Sequence, residues 1–354
     1  MKLNIFHKIL ITMLVVAVIP LVAIWYINYQ TTSKHLTLGV EQRLGGISDK
    51  LVAAVNDWVT ANHKVLNQNG ALPEMASMNA GAQNPVLKTV QNEYGWSYLV
   101  FTIRPDGMNV GRSDGKEPID YSDRIYFKQV MDGAPLGKQV VISKTTGKPA
   151  LILSAPIHKP DKGLVGVIAM GMSLADISDI ITKASIGTTG YAFLLDEDGK
   201  VVAHQKQEYT STMADFSKHP AFLGRSNEPV RKLVFEEGGR KIIAHTQKTR
   251  HGWTLVAQQD YDEAFRALSE ANLSALILLV ITLLAVSYIA YLLAQRLARP
   301  IRNLTLIAEE ISRGRLDIKI QEVNRSDEIG ALAAAIERMG VSIRMSLQKL
   351  RAKA

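Results

Sequence analysis

Two uncharged, apolar windows stand out along the chain. Residues 9–33 carry no charged side chain, and their core, ILITMLVVAVIPLVAIWYI (9–27), is apolar throughout apart from a threonine and a proline. Residues 273–294, LSALILLVITLLAVSYIAYLLA, form the second window. About 20 apolar residues in helical conformation cross the hydrocarbon core of a bilayer, so the pattern predicts transmembrane helices over 9–28 and 273–294. A cleaved signal peptide is the rival reading of the first window. Its apolar run is too long for a typical h-region, and no small-residue cleavage pattern follows it. Trp25 and Tyr26 suit the interface at one end of the first span, and Tyr288 and Tyr291 lie toward the opposite end of the second. Pro20 predicts a kink that membrane helices tolerate.

Between the windows the periodicity changes twice. Leu36, Val40, Leu44, Ile47, Leu51, Val55 and Trp58 recur at steps of three and four, which predicts a long amphipathic helix over 29–68. Its stripe fits either a dimer seam or a face laid on a domain, and Gly45–Gly46 argue against a strong isolated coil. From residue 94 onward β-formers alternate with turn signals. Strands are expected over 96–103, 139–144, 150–157 and 164–172, and again over 191–196, 201–204, 241–246 and 253–258. Two successive sets of antiparallel strands with intervening helices make an α+β domain.

Beyond the second window the helical period returns. Ile301, Leu304, Ala308 and Ile311 share one stripe, and Ile329, Leu332, Ile336, Met339 and Ile343 share another. The linker between them carries Leu316, Ile318, Ile320 and Val323. Two such short helices are marginal alone and complete as a parallel four-helix bundle in a dimer.

Charge sets the orientation. The 354 residues hold 41 Lys and Arg against 33 Asp and Glu, net +8, a balance that would first suggest a nucleic-acid partner. Its distribution excludes that reading. Residues 1–8 carry Lys2 and Lys8 and no acid, and residues 295–354 hold 12 basic against 7 acidic side chains, while the long middle segment is close to neutral. The positive-inside rule then places both termini in the cytoplasm and residues 29–272 outside. Cysteine is absent, which removes disulfides, thiolate chemistry and cysteine-held metals.

The runs SDRIYF (122–127), SKTTGKP (143–149), SAPI (154–157) and GLVGV (163–167) resemble the membrane-distal module of double Cache sensors, and IGTTGYAFLLDEDGKVVAH (186–204) resembles the start of the membrane-proximal one. The resemblance implies two PAS-like antiparallel sheets on a long helix, with the distal module over about 69–182 and the proximal one over about 183–265. RPIRNLTLIAEEISRGRLD (299–317) and RSDEIGALAAAIERM (325–339) resemble a HAMP module over 295–347, in which Pro300, Gly314, Asp327, Glu328 and Gly330 match the signalling pattern. Residues 348–354 read as a short tail. The whole is expected to be a two-pass inner-membrane receptor, a homodimer, resembling the input half of chemotaxis receptors and sensor kinases. Its signal would pass to a separate cytoplasmic kinase, phosphatase, cyclase or chemotaxis-type protein. A ligand-independent scaffold subunit and a truncated receptor are the alternatives.

Amino-acid-binding members of the resembled family carry a tyrosine, an arginine, a Trp-Tyr pair and a later aspartate that holds the α-amine. Arg124 matches the arginine and Tyr126 stands for the tryptophan. Ile119 falls at the first tyrosine, with Tyr121 nearby, and Gly171 at the aspartate. Arginine grips carboxylates through a planar fork. The expectation is a small organic anion bound by Arg124 with Tyr121, Tyr126, Lys144 and Thr146. The competing reading makes Arg124 a structural ion-pair partner beside an apolar or vestigial pocket. No catalytic constellation, phosphate loop or metal-ligand spacing occurs among the histidines, and DEDG (196–199) reads as a turn rather than a calcium loop. No enzyme activity, cofactor or metal is expected.

Overall fold

The computed structural model describes residues 5–159, 163–224 and 230–351. The chain divides into two compact units, one of residues 35–266 and one of residues 1–34 with 267–354.

In the unit of residues 35–266, the first helix, α1 (Ile5–Gly70), supplies its residues from His35 onward. Val40, Leu44, Leu51, Val55, Val59 and Leu66 are buried, and so are Ser48, Asn56 and Asn62. The polar members of this face are all used within the unit. Ser48 Oγ lies 3.0 Å from His245 Nδ1, Asn56 Oδ1 accepts from Arg250 N at 3.1 Å, and Asn62 Oδ1 accepts from Trp96 Nε1 at 2.8 Å. The stripe therefore lies on its own domain.

Helices α2 (Pro73–Ala76) and α3 (Ala80–Glu93) lead into β1 (Ser97–Ile103) and β2 (Asn109–Arg112), then α4 (Ile125–Met131), β3 (Gly137–Ile142), β4 (Pro149–Lys159) and β5 (Gly163–Ser173). Helix α5 (Leu174–Thr182), capped by Ser173, buries Leu174, Ile177 and Ile181 and connects to the second set. That set is β6 (Tyr191–Leu195), β7 (Val201–Ala203), α6 (Gln207–Thr212), α7 (Pro220–Leu223), β8 (Val230–Glu237), β9 (Arg240–Lys248), β10 (Thr254–Asp260) and α8 (Tyr261–Ala264).

The two sheets are antiparallel and follow one another strand for strand, in the orders β2-β1-β5-β4-β3 and β7-β6-β10-β9-β8. Each has its own apolar core, around Leu99, Phe101, Tyr126 and Ile152 in the first and Phe193, Leu195, Phe222 and Val256 in the second. The α+β expectation holds. β2 and β8 were not anticipated. The four residues of β2 are too few for a visible alternation, and β8 carries Val234 on its exposed side. Lys138 of β3 pairs with Glu197 in the β6–β7 turn, which ties the two modules together.

In the other unit, α1 runs through the first apolar window with Pro20 inside it, and α9 (Arg266–Ser312) contains the second window. Val16, Ile19, Ile24, Leu278 and Leu284 are exposed there, the pattern of helices whose solvent is lipid. The first helix continues past residue 28, so the expected span and outer helix are one element. α9 ends in a Schellman-type cap. Gly314 has φ 90°, its N–H reaches Ile311 O, and Arg315 N reaches Glu310 O. α10 (Glu328–Arg351) begins after a 3₁₀ turn at Gln321–Asn324. Leu304, Ile320, Ile329 and Ala333 form the local core. Leu332, Met339 and Ile343 of the sequence-derived stripe stay exposed within one chain.

Candidate ligand-binding site

A cleft in the distal module lies between β1, β3, α4 and the β3–β4 turn. Tyr121, Arg124, Tyr126 and Lys144 all line it, with Tyr98, Phe101, Val141 and Ile152 as its apolar and aromatic walls. Free volume between these walls is about 10 Å³, room for roughly one water.

Each polar side chain is placed by local structure. Tyr121 lies beside the Met108–Asp120 bridge, where its N–H reaches Gly107 O of the β1–β2 turn at 2.8 Å, and its ring packs 4.8 Å from that of Phe101. Gly107, at φ 88°, has Ser122 against the side a Cβ would occupy, so the turn requires glycine. Arg124 caps α4, its side chain 16% exposed, with Nε 3.7 Å from Asp123 Oδ1. Lys144 Nζ donates to Asp120 O at 2.8 Å and Asp123 Oδ1 at 2.7 Å, and lies 5.7 Å from the Tyr121 ring centre. The Lys144 hydrogen bond holds the Asp123 carboxyl below the usual range. Tyr126 is 2% exposed, and burial pushes its hydroxyl well above the ordinary phenol range.

Thr146 is not brought to the cleft. The Ser143 hydroxyl accepts the N–H groups of both Thr145 and Thr146 at 3.2 Å, and the turn directs Thr145 inward and leaves Thr146 exposed.

The sequence reading missed Arg112. Its side chain is 2% exposed and forms a fork on Asp114, Nε–Oδ1 2.8 Å and Nη2–Oδ2 2.9 Å. Nη1 donates to Tyr121 Oη at 3.2 Å and Nη2 to Thr145 Oγ1 at 3.3 Å. Burial opposes ionisation of Asp114, yet the Arg112 fork and the Lys116 N–H keep its carboxyl below the usual range. Arg112 is thus a fixed support behind the cleft that orients Tyr121 and Thr145, whereas Arg124 and Lys144 form the reachable cationic lip. The motif GRSDG (111–115) was the available signal.

Tyr98 explains Gly171. A Cβ at Gly171 would meet Tyr98 Cζ and Oη at 2.7 Å. The tyrosine ring occupies the space an acidic side chain would need, and burial raises its hydroxyl pKa while Ser143 hydrogen-bonds it. Ile119 packs at the edge of the same core.

In the second unit, Pro300 lies inside α9. Asp327 caps α10, accepting Gly330 N at 3.1 Å and pairing with Arg325. The Arg325 hydrogen bond draws the Asp327 carboxyl down to about 2. A Cβ at Gly330 would stand 2.0 Å from Arg325 O, so this cap admits only glycine. Glu328 lies exposed in the first turn and complements the helix dipole. Among the described residues no cluster of His, Asp and Glu could hold a metal ion.

Comparison with known proteins agrees with this architecture. The Cache-domain family profile matches residues 32–268 and the HAMP-domain profile residues 292–345. The methyl-accepting chemotaxis protein McpA of Bacillus subtilis is 24% identical over 358 residues, 96% of this chain and 51% of its own length. McpG of Pseudomonas putida is 27% identical over 272 residues, 73% of this chain and 42% of its own. The chain spans about half the length of the curated relatives it matches. Among solved structures, the ligand-binding domain of Pseudomonas fluorescens chemoreceptor CtaA with L-leucine superposes at TM-score 0.54, with 16% identity, over 66% of this chain and 99% of its own. That of Campylobacter jejuni chemoreceptor Tlp3 with L-valine superposes at 0.53, with 15% identity, over 66% and 98%.

Proposed function

The chain belongs to the Cache-domain family, and on that premise we propose that it is a homodimeric inner-membrane receptor whose distal module binds a small carboxylate through Arg124. It is a membrane protein with an extracellular ligand-sensing domain and a HAMP module. The observation that carries the finer reading is the lip of the cleft. Arg124 and Lys144 stand at its rim with Tyr121 and Tyr126 behind them, and Tyr98 fills the place of an amine-holding acid. A carboxylate therefore meets two cations, which it would share with the exposed Asp123, and no acid at position 171.

Both termini lie in the cytoplasm on this reading, because the basic excess sits on residues 1–8 and 295–354. It also presses the start of HAMP toward anionic headgroups. The exposed stripe of Leu332, Met339 and Ile343 is the face a second copy would cover to complete a four-helix bundle. A ligand with unequal affinity for two outer arrangements biases them, and HAMP converts the bias into one of two bundle states. The receiver would be a separate cytoplasmic output protein, and the naming of the relatives as methyl-accepting chemotaxis proteins supports one of the chemotaxis type.

The small free volume of the cleft favours a second reading, a dimeric scaffold that binds nothing there. Scanning fluorimetry of the detergent-solubilised full chain separates the two. Acetate and succinate are expected to raise the melting temperature of the wild type and to leave Arg124→Ala unchanged. Stabilisation by leucine or valine in preference to simple carboxylates contradicts the anion reading, and no stabilisation by any acid supports the scaffold.

A further inference from the structure

The proximal module repeats the frame of the distal site residue by residue. Ile103 pairs with Asn109 across the β1–β2 hairpin, and Leu195 with Val201 across β6–β7. Gly107 and Gly199 take the same turn position, at φ 88° and 87°. Tyr121 N reaches Gly107 O and Phe216 N reaches Gly199 O, each at 2.8 Å. Arg124 N then bonds Tyr121 O, and His219 N bonds Phe216 O. Arg124 caps α4 and His219 caps α7. On the neighbouring strand Leu99 pairs with Gly171 and Tyr191 with Gln258. Further across, Gly171, Ile152 and Gln139 align as do Gln258, Ala244 and Leu233. Four residues on, Ser143 corresponds to Glu237.

The chemistry on this shared frame is reversed. Where the distal site has Arg124, Ser143 and Gly171, the proximal one has His219, Glu237 and Gln258. His219 Nδ1 accepts from Ala221 N at 3.1 Å, which leaves Nε2–H facing Glu237 Oε1 at 3.3 Å. Gln258 Nε2 donates to Glu237 Oε2 at 3.0 Å and to Tyr191 Oη at 2.8 Å. Both amide hydrogens are thereby directed, while Oε1 of Gln258, a residue 2% exposed, has no hydrogen-bond partner among the described residues. A buried acceptor without a donor is a costly feature that a ligand donor relieves.

The walls are aromatic. The Tyr191 and Phe193 rings lie 5.2 and 5.5 Å from that of His204, and Phe216 stacks on His219 at 5.2 Å. Glu237, with its side chain 41% exposed, is the member of this cluster that solvent reaches. The nearby cations are otherwise engaged, Lys206 over the Tyr209 ring at 5.5 Å and Arg240 with Asp260 at 4.0 Å.

We propose that the proximal module carries a second small-molecule site, selective for a small protonated primary amine. Its ammonium would donate to Gln258 Oε1 and the Glu237 carboxylate, with its alkyl group against the rings. This inference goes beyond the distal carboxylate reading and stands whether or not that reading holds.

Isothermal titration of the detergent-solubilised full chain with n-propylamine hydrochloride tests it, with tetramethylammonium chloride as a cation that has no N–H. Saturable propylamine binding is expected in the wild type and in Arg124→Ala, weakened at least tenfold in Glu237→Gln and in Gln258→Leu. Circular dichroism confirms that each variant is folded, and Gln258→Leu, which removes no charge, serves if Glu237→Gln is not. Absence of saturable binding to the wild type overturns the proposal. So does equal binding of tetramethylammonium, or binding that survives in the folded variants but is lost in Arg124→Ala.

Discussion

The distal and proximal modules are two copies of one five-stranded frame that spend their equivalent positions differently. In the distal copy an arginine caps α4, a second arginine is buried against Tyr121 and Asp114, and glycine holds the central strand open for Tyr98. In the proximal copy the cap is His219, the residue three positions beyond Val201 is the buried His204 rather than Arg112, and the central strand carries Gln258. The backbone hydrogen-bond registers are preserved because turns with obligatory glycines set them. The side chains that fill the space above the sheet are free to change sign. A chain with two such copies can present opposite chemistry in its two modules without altering its fold.

The sharpest way to break the comparison is to remove its buried cation. Arg112→Met leaves the Asp114 carboxylate with only the Lys116 N–H and Tyr121 without its orienting donor, at a cost of about 3–5 kcal/mol. Urea denaturation of the full chain, read by hydrogen exchange, should show the loss in the distal module alone. An equal loss in both modules would mean that the copies are not separate cores.

Next in size is the central strand. Gly171→Ala drives a methyl into the Tyr98 ring and should cost about 1–3 kcal/mol by overpacking. Adding Tyr98→Ala should recover part of that in a double-mutant cycle, and additivity would remove Tyr98 from its assigned place.

The third contrast is acid sensitivity. Burial, helped by Lys206, pushes His204 down to about 4, and burial also lowers His245. Both prefer the neutral form when folded. The unfolded chain takes up these protons first, so the proximal module keeps its full stability above about pH 6.5 and loses it as pH falls toward 4. The distal module buries no histidine and should hold from pH 7 to pH 5, since its paired carboxylates Asp114 and Asp123 lose their contribution only below that range. Hydrogen exchange at pH 7 and pH 5 checks this, and His204→Phe should flatten the proximal slope.

The smallest effect is expected at the junction. Lys138→Met removes the ion pair to a half-exposed Glu197 and should change stability by no more than about 1 kcal/mol.

These contrasts also mark where the linear sequence was readable. The spans, the HAMP helices and most strands follow from periodicity, because lipid, a heptad seam and a half-buried sheet each impose a repeat. The long outer helix was ambiguous, since Ser48, Asn56 and Asn62 break its apolar stripe and show their purpose only once His245, Arg250 and Trp96 are seen opposite them. Arg124, Tyr121, Tyr126 and Lys144 could be placed around one cleft from motif order. Thr145 could not be told from Thr146, because the Ser143 hydroxyl decides which faces inward. Arg112 was hidden on a strand of four residues. The Glu237–Gln258 pair lies on neighbouring positions only through β9 and β10, a relation that no local pattern carries.

The central claim is that one frame presents a cationic site in one module and an acidic site in the other. A crossed titration tests it directly: acetate and n-propylamine against the wild type, Arg124→Ala and Gln258→Leu in the full chain. The account predicts that Arg124→Ala loses acetate and keeps propylamine, while Gln258→Leu loses propylamine and keeps acetate. Loss of both ligands in either folded variant, or of neither in both, would contradict it.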